Sequence, residues 1–232
     1  MVLDLTYIIL VLPAVILSLW ASWNVKYTFE KYSKVINSRG LTGADAARRV
    51  LDLNGLRDVP VEHINGELSD HYDPESRTVR LSDSVWGSTS VAAVGVACHE
   101  VGHAIQNAQD YLPIKIRQAI IPATALGEKL SVPLLVIGLV LSSFARGFIY
   151  LAYAGVALYA LCAVFQLVTL PTEFDASRRA LVSIQEMDLL NGEEFTGAKK
   201  VLSAAALTYV AALATTLMQL LRFIALVNDR DR

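Results

Sequence analysis

Cysteine is nearly absent from this 232-residue chain: Cys98 and Cys162 are the whole complement. Cys162 sits in an apolar run and Cys98 directly precedes a histidine, so the pair does not read as a structural disulfide, and a reducing compartment suits it better. Charge is scarce as well. Lys and Arg number 20 and Asp and Glu 22, together 18% of residues, with a formal net charge of −2. No basic arm and no interleaving of basic with aromatic residues occurs, so nothing points to a nucleic-acid partner. Histidine is rarer still, with four in all. The chain also lacks an internal repeat, a low-complexity tract or a flexible linker.

Long apolar stretches are what it has. The chain is 54% hydrophobic with a mean hydropathy of +0.44, too apolar for an ordinary soluble domain. A single membrane-embedded unit with one modest extramembrane part is expected. Crossing a bilayer takes about 20 apolar residues, and four segments qualify. These are residues 5–23, ending in Trp20 and Trp23 as an interfacial belt; 130–145; 148–170, without a formal charge; and 201–222, Ala-rich and closed by Arg222. The second is short, and spans only if residues 118–127 pack at or in the membrane. Asp4 and no Lys or Arg precede the first, so it does not read as a cleaved signal.

Basic residues are distributed unevenly around these spans. Lys26, Lys31, Lys34, Arg39, Arg48 and Arg49 follow the first, and Arg178, Arg179, Lys199 and Lys200 follow the third. The opposite side holds Arg146 in a tight hairpin, with Arg230 and Arg232 at the tail. The positive-inside rule then predicts cytoplasmic residues 24–129 and 171–200, with both termini outside. The inverted topology would put the basic loops on the wrong side.

Residues 24–40 read as a helix continuing off the membrane to Gly40. Thr42 is placed to cap a helix through Ala46, Arg49 and Leu51 that stops near Asn54 and Gly55. Residues 59–64 and 78–82 are β-branched and alternating, separated by turn residues such as Asn65, Gly66, Asp73 and Pro74, and predict a two- or three-stranded sheet. Ser88 or Ser90 then caps a long helix to about Ala108, and residues 197–222 form another. The expected fold class is mainly α: about four transmembrane helices with a small α+β, zincin-like domain built around the helix that ends near Ala108.

That helix carries His99, Glu100, Val101, Gly102 and His103, an HExxH motif. Residues i and i+4 project from one helix face, so both imidazoles can converge on one metal ion. Glu100 is one step round, near enough to orient a water there and take its proton. A pair of structural histidines on a half-buried helix is the bland alternative. Against it stand the uncharged neighbours Val96, Ala97, Val101, Gly102, Ala104 and Ile105, and the fact that two of four histidines fall here. Cys98 points about 100° away from His99 and off the metal-facing side. Catalytic zinc takes three protein ligands and leaves a position for water. No histidine follows His103, so a carboxylate is the natural third ligand, and Glu173, just past the third span, stands out. Two crossings separate His103 from Glu173, which returns both to the same side. If Pro171 or Thr172 starts a helix there, Glu173 could instead compensate the helix N-terminus. Asp175 competes, but faces another side of the helix, where orienting a ligating histidine suits it.

The stretches NSRGLTGADAARRVLDLNGL, HYDPESRTVRLSDSV, VACHEVGHAIQNAQDY, LVTLPTEFDASRRAL and GAKKVLSAAALTYVAALATTLMQLLR resemble the YugP-like neutral zinc metallopeptidases of bacterial membranes, from about Asn24 to Arg222. The resemblance implies a multi-pass, gluzincin-type zinc peptidase with His99, His103 and Glu173 as ligands and Glu100 as general base. More distantly, the chain is similar to HtpX- and Ste24-type membrane proteases, whose ligand Glu opens an E-x-x-x-D pattern. Ser177 stands at the last position here, so that outer arrangement does not carry over.

Several residues are candidates beside the ligands. Arg178 and Arg179 are either oxyanion donors or membrane anchors, and Tyr209 either reaches inward or packs at the interface. His71, with Tyr72, serves either the site or a turn. The run from Arg77 to Ser82, as an edge strand, would either hold an extended peptide by strand addition or present a plain charged edge. The expected function is a zinc-dependent endopeptidase at or near the cytoplasmic face of the cell membrane. Its partners would be a peptide or protein substrate and the lipid bilayer, with a homo-oligomer or a membrane-protein partner left open. The alternatives are a catalytically silent, zinc-bound membrane scaffold or regulator, and hydrolysis of a non-peptide ester or amide. Structural zinc sites are usually closed by four Cys or His ligands, which this chain lacks.

Overall fold

The computed structural model describes residues 5–231. A π-helical turn over Tyr7–Val11 leads into α1 (Leu12–Ser33), followed by α2 (Gly43–Leu53), β1 (Val61–His63), β2 (His71–Asp73) and β3 (Thr78–Leu81). Then come α3 (Val91–Ala108), α4 (Leu112–Leu141), a 3-10 turn at Arg146–Phe148, α5 (Ile149–Glu186) and α6 (Gly192–Asp231). The fold is mainly α with a small α+β part, as the sequence pattern predicts. Among the described residues, four helical stretches are long and apolar enough to cross a membrane: Tyr7–Ser33, Leu112–Leu141, Arg146–Glu186 and Gly192–Arg230. The short apolar run at 130–145 thus begins inside a 30-residue helix.

The chain divides into two compact units. One takes the residues up to Trp20, Ile116–Leu170 and those from Tyr209 on; the other takes Ala21–Lys115 and Pro171–Thr208. In the first, α4 and α5 approach through small residues. A Cβ on Gly138 would lie 2.3 Å from the Ala152 nitrogen, and one on Gly155 would lie 2.6 Å from the Ser131 carbonyl oxygen. Leu135, Ile149, Ala152, Phe223 and Val227 are buried together, and the Ser18 and Thr215 hydroxyls lie 2.9 Å apart. Close backbone approach and interhelical hydroxyl bonds suit packing in lipid, where apolar burial supplies little drive between helices. Ile9, Ile16, Leu19, Val136, Val140 and Leu167 stay exposed, an outer surface suited to hydrocarbon.

The second unit is built on α3. Thr42 and Asp45 form a reciprocal capping box at the start of α2, and Ser90 Oγ accepts from the Ala93 N–H at 3.1 Å to start α3. α3 is apolar nearly all round, the mark of a buried helix. Val94, Ala97, Val101 and Ile105 pack with Val50 and Leu51 of α2, Val79 and Leu81 of β3, and Ile184, Leu189 and Leu202.

Three local expectations change. The sheet order is β1-β3-β2, with β1 parallel and β2 antiparallel to β3. Residues 78–81 therefore form the central strand, not an edge, and have no free side for a peptide. The displaced edge is β2, three residues (His, Tyr, Asp) too short and polar for strand propensity to register. The expected turn follows directly: Asp73 accepts from the Glu75 N–H at 2.9 Å and the Ser76 hydroxyl at 2.7 Å. α1 ends at Ser33 rather than Gly40, because Ile36 bridges to Ser90 and Asn37 Nδ2 donates to the Leu41 and Thr89 carbonyls. Finally, no helix starts at Pro171 or Thr172. Pro171 lies inside continuous α5, where one missing N–H costs a single helical bond and buried Ala163, Ala176, Ala180 and Ile184 keep the helix in register.

Candidate metal centre

The site begins at a residue without a side chain. A Cβ on Gly102 would lie 2.5 Å from the Ala176 carbonyl oxygen, so α5 passes α3 at a distance only glycine permits. Glu173, one turn before Ala176, then faces the two motif histidines. Its Oε2 lies 3.3 Å from His99 Nε2 and 3.5 Å from His103 Nε2. The three candidate ligand atoms all lie within 4.8 Å of one another, and the imidazoles stand nearly perpendicular at 84°. Glu173 is 2% and His103 8% exposed, so the group is screened from solvent but not sealed at His99. Ligands about 2.0–2.2 Å from a tetrahedral zinc are about 3.4 Å from one another, and two of the three separations here match that. The donor set, two imidazoles and one carboxylate, fits zinc.

Glu100 sits beside this group, and its Oε2 accepts from the Tyr72 N–H at 3.0 Å. That amide belongs to β2, on the side turned away from β3. Burial pushes the Glu100 carboxyl up to about 7 from an ordinary 4.5; His99 pulls it back and Glu173 adds to the rise. Asn107 Nδ2 donates to the Tyr72 hydroxyl at 3.0 Å. α3 therefore grips Tyr72 twice, two helical turns apart.

Each histidine has a partner at its other nitrogen. His99 Nδ1 lies 3.1 Å from Ser177 Oγ. His103 Nδ1 lies 3.0 Å from Gln106 Oε1, and Gln106 Nε2 donates to the Thr172 carbonyl at 2.8 Å and to Asp175 Oδ2 at 3.0 Å. Asp175 thus reaches His103 only through Gln106. Arg178 and Arg179 both pair with Asp175, and Arg179 also donates to Gln109 Oε1 at 2.6 Å and lies over the Tyr111 ring. His71 is exposed on β2, with Nδ1 2.8 Å from the Ser69 carbonyl. Tyr209 falls in the other unit. Cys98 lies outside the ligand group, its thiol pushed up to about 12 by burial. Sequence reasoning missed Gln106, Asn107, the Tyr72 amide and the role of Gly102. Gln106 alone carried a signal: a polar residue three positions after His103, hence on its face of an otherwise apolar helix.

A membrane chain with this centre belongs to the family described as "Putative neutral zinc metallopeptidase", which matches residues 7–228. Zinc is the metal of that family. Among its relatives is the "Putative membrane protease YugP" of Bacillus subtilis (strain 168), 47% identical over 226 residues, which cover 97% of this chain and 98% of that protein. No solved structure matches this chain significantly.

Proposed function

We propose that the protein is a zinc-dependent membrane endopeptidase working at or near the cytoplasmic face, with His99, His103 and Glu173 holding the metal. One observation carries this reading: a buried carboxylate, Glu100, stands beside a three-donor group and is held there by a backbone amide. A purely structural site has no use for it.

Bound zinc supplies Lewis acidity, which polarises a carbonyl and lowers the pKa of a coordinated water toward about 7. The chain's own residues do the rest. The Tyr72 amide occupies Glu100 Oε2 and leaves Oε1 to receive a proton from the attacking water. As the water oxygen bonds to the peptide carbonyl carbon and the C–N bond breaks, Glu100 returns that proton to the leaving amine. The cytoplasmic assignment rests on the basic residues after the first and third spans.

Zinc content and cleavage of an unstructured reporter in membranes test the proposal. Glu100→Gln should keep zinc and lose about 10²–10⁴ in rate, whereas Glu173→Ala should release zinc. Equal cleavage by wild type and Glu100→Gln would sink the mechanism, and full zinc stoichiometry in Glu173→Ala would remove the third ligand.

A further inference from the structure

Gln106 is fully buried, and both ends of its amide are engaged inside the protein. Its nitrogen faces the Thr172 carbonyl oxygen and Asp175 Oδ2. The carbonyl can only accept. The Asp175 carboxylate must accept as well, since Arg178 and Arg179, which offer only donors, converge on it. Turning the amide over would set its oxygen against two acceptors, so the network leaves one orientation. The amide oxygen then faces His103 Nδ1 at 3.0 Å and can only accept. Nδ1 must therefore carry a proton, and Nε2, 3.5 Å from Glu173 Oε2, is the nitrogen left to meet a metal.

We infer that Gln106 is a positioning residue whose fixed amide keeps a proton on Nδ1 of His103, so that Nε2 is chosen as its metal-facing nitrogen before an ion arrives. The chain of command runs from Arg178 and Arg179 through Asp175 to Gln106 and then His103. At Nδ1 of His99 there is no such constraint: its partner there is the Ser177 hydroxyl, which can donate or accept. Two histidines equivalent in the motif are thus unequal in the fold. An outer partner of this kind typically changes metal affinity by about 10–100-fold. That consequence rests on the metal reading proposed above, whereas the tautomer is a property of the metal-free protein.

The test uses the full chain in detergent micelles, stripped of metal, with ¹⁵N-labelled histidine rings at about pH 8, where an ordinary imidazole is neutral; His103→Ala assigns the signal. Wild-type His103 should show a protonated Nδ1. In Gln106→Leu a form unprotonated at Nδ1 should become populated, and zinc affinity by chelator competition should fall about 10–100-fold. A wild-type His103 without a proton on Nδ1 overturns the inference, as does a folded Gln106→Leu protein with wild-type Nδ1 protonation and zinc affinity. Should Gln106→Leu not fold, the wild-type spectrum decides alone. If the wild type binds no zinc yet His103 is protonated on Nδ1, the metal centre fails while the tautomer assignment stands.

Discussion

Glu100 combines burial, a neighbouring carboxylate and a single backbone amide, and the balance raises its carboxyl to about 7 in the metal-free protein. The unfolded chain releases that proton near the ordinary 4.5, so between about pH 4.5 and 7 the folded state binds the extra proton. Stability of the metal-free protein should therefore fall as pH rises through this window and level off above 7. The total is of the order of 3 kcal/mol. Melting temperatures across pH 4.5–7.5 in wild type and Glu100→Gln measure this, and the variant's slope should be flatter. Identical slopes would place Glu100 in a wetter setting than the fold shows. His99 and His103 were legible in sequence because helical spacing converts directly into a shared face, and Glu100 because it lies one step round from it. Gln106 was hidden because its importance lies in acceptors 66 and 69 residues away.

Among the elements, α3 and α5 make the site together, and Gly102 sets how closely they pass. Gly102→Ala should push α5 away at Ala176, cost about 1–3 kcal/mol by overpacking, and weaken zinc binding as Glu173 withdraws from His99 and His103. Gly87→Ala is the control: no atom lies within 4 Å of its added Cβ, so its effect should stay within about 0.5 kcal/mol. Thermal melting with zinc titration separates the two, and equal zinc affinity in both variants would deny the close approach its role. α2 and α3 were readable from their caps, Thr42 and Ser90. β2 was not, because three polar residues become a strand only when β3 supplies the ladder.

For the whole molecule, four apolar helical stretches and the bias of basic residues support the proposed multi-pass arrangement, which labelling can test. Arg57 and Arg146 are both exposed, while native Cys98 and Cys162 are buried and should stay silent. In intact cells a membrane-impermeant maleimide should label Arg146→Cys and should reach Arg57→Cys only after permeabilisation. The reverse pattern would invert the topology and move the proposed peptidase site to the outer face.

The sequence by itself determined the membrane class and the spacing of His99 and His103, because hydropathy and helical periodicity are local properties, and it singled out Glu173 as a candidate third ligand. It also carried the family, through motifs spread along most of the chain. The tertiary structure alone decided that β3 is central, that α5 runs unbroken through Pro171, and that Tyr72 holds Glu100. It decided, too, that Asp175 reaches His103 through Gln106. Each of these depends on which distant groups meet, and hydrogen bonds between buried groups are satisfied only once the chain has folded.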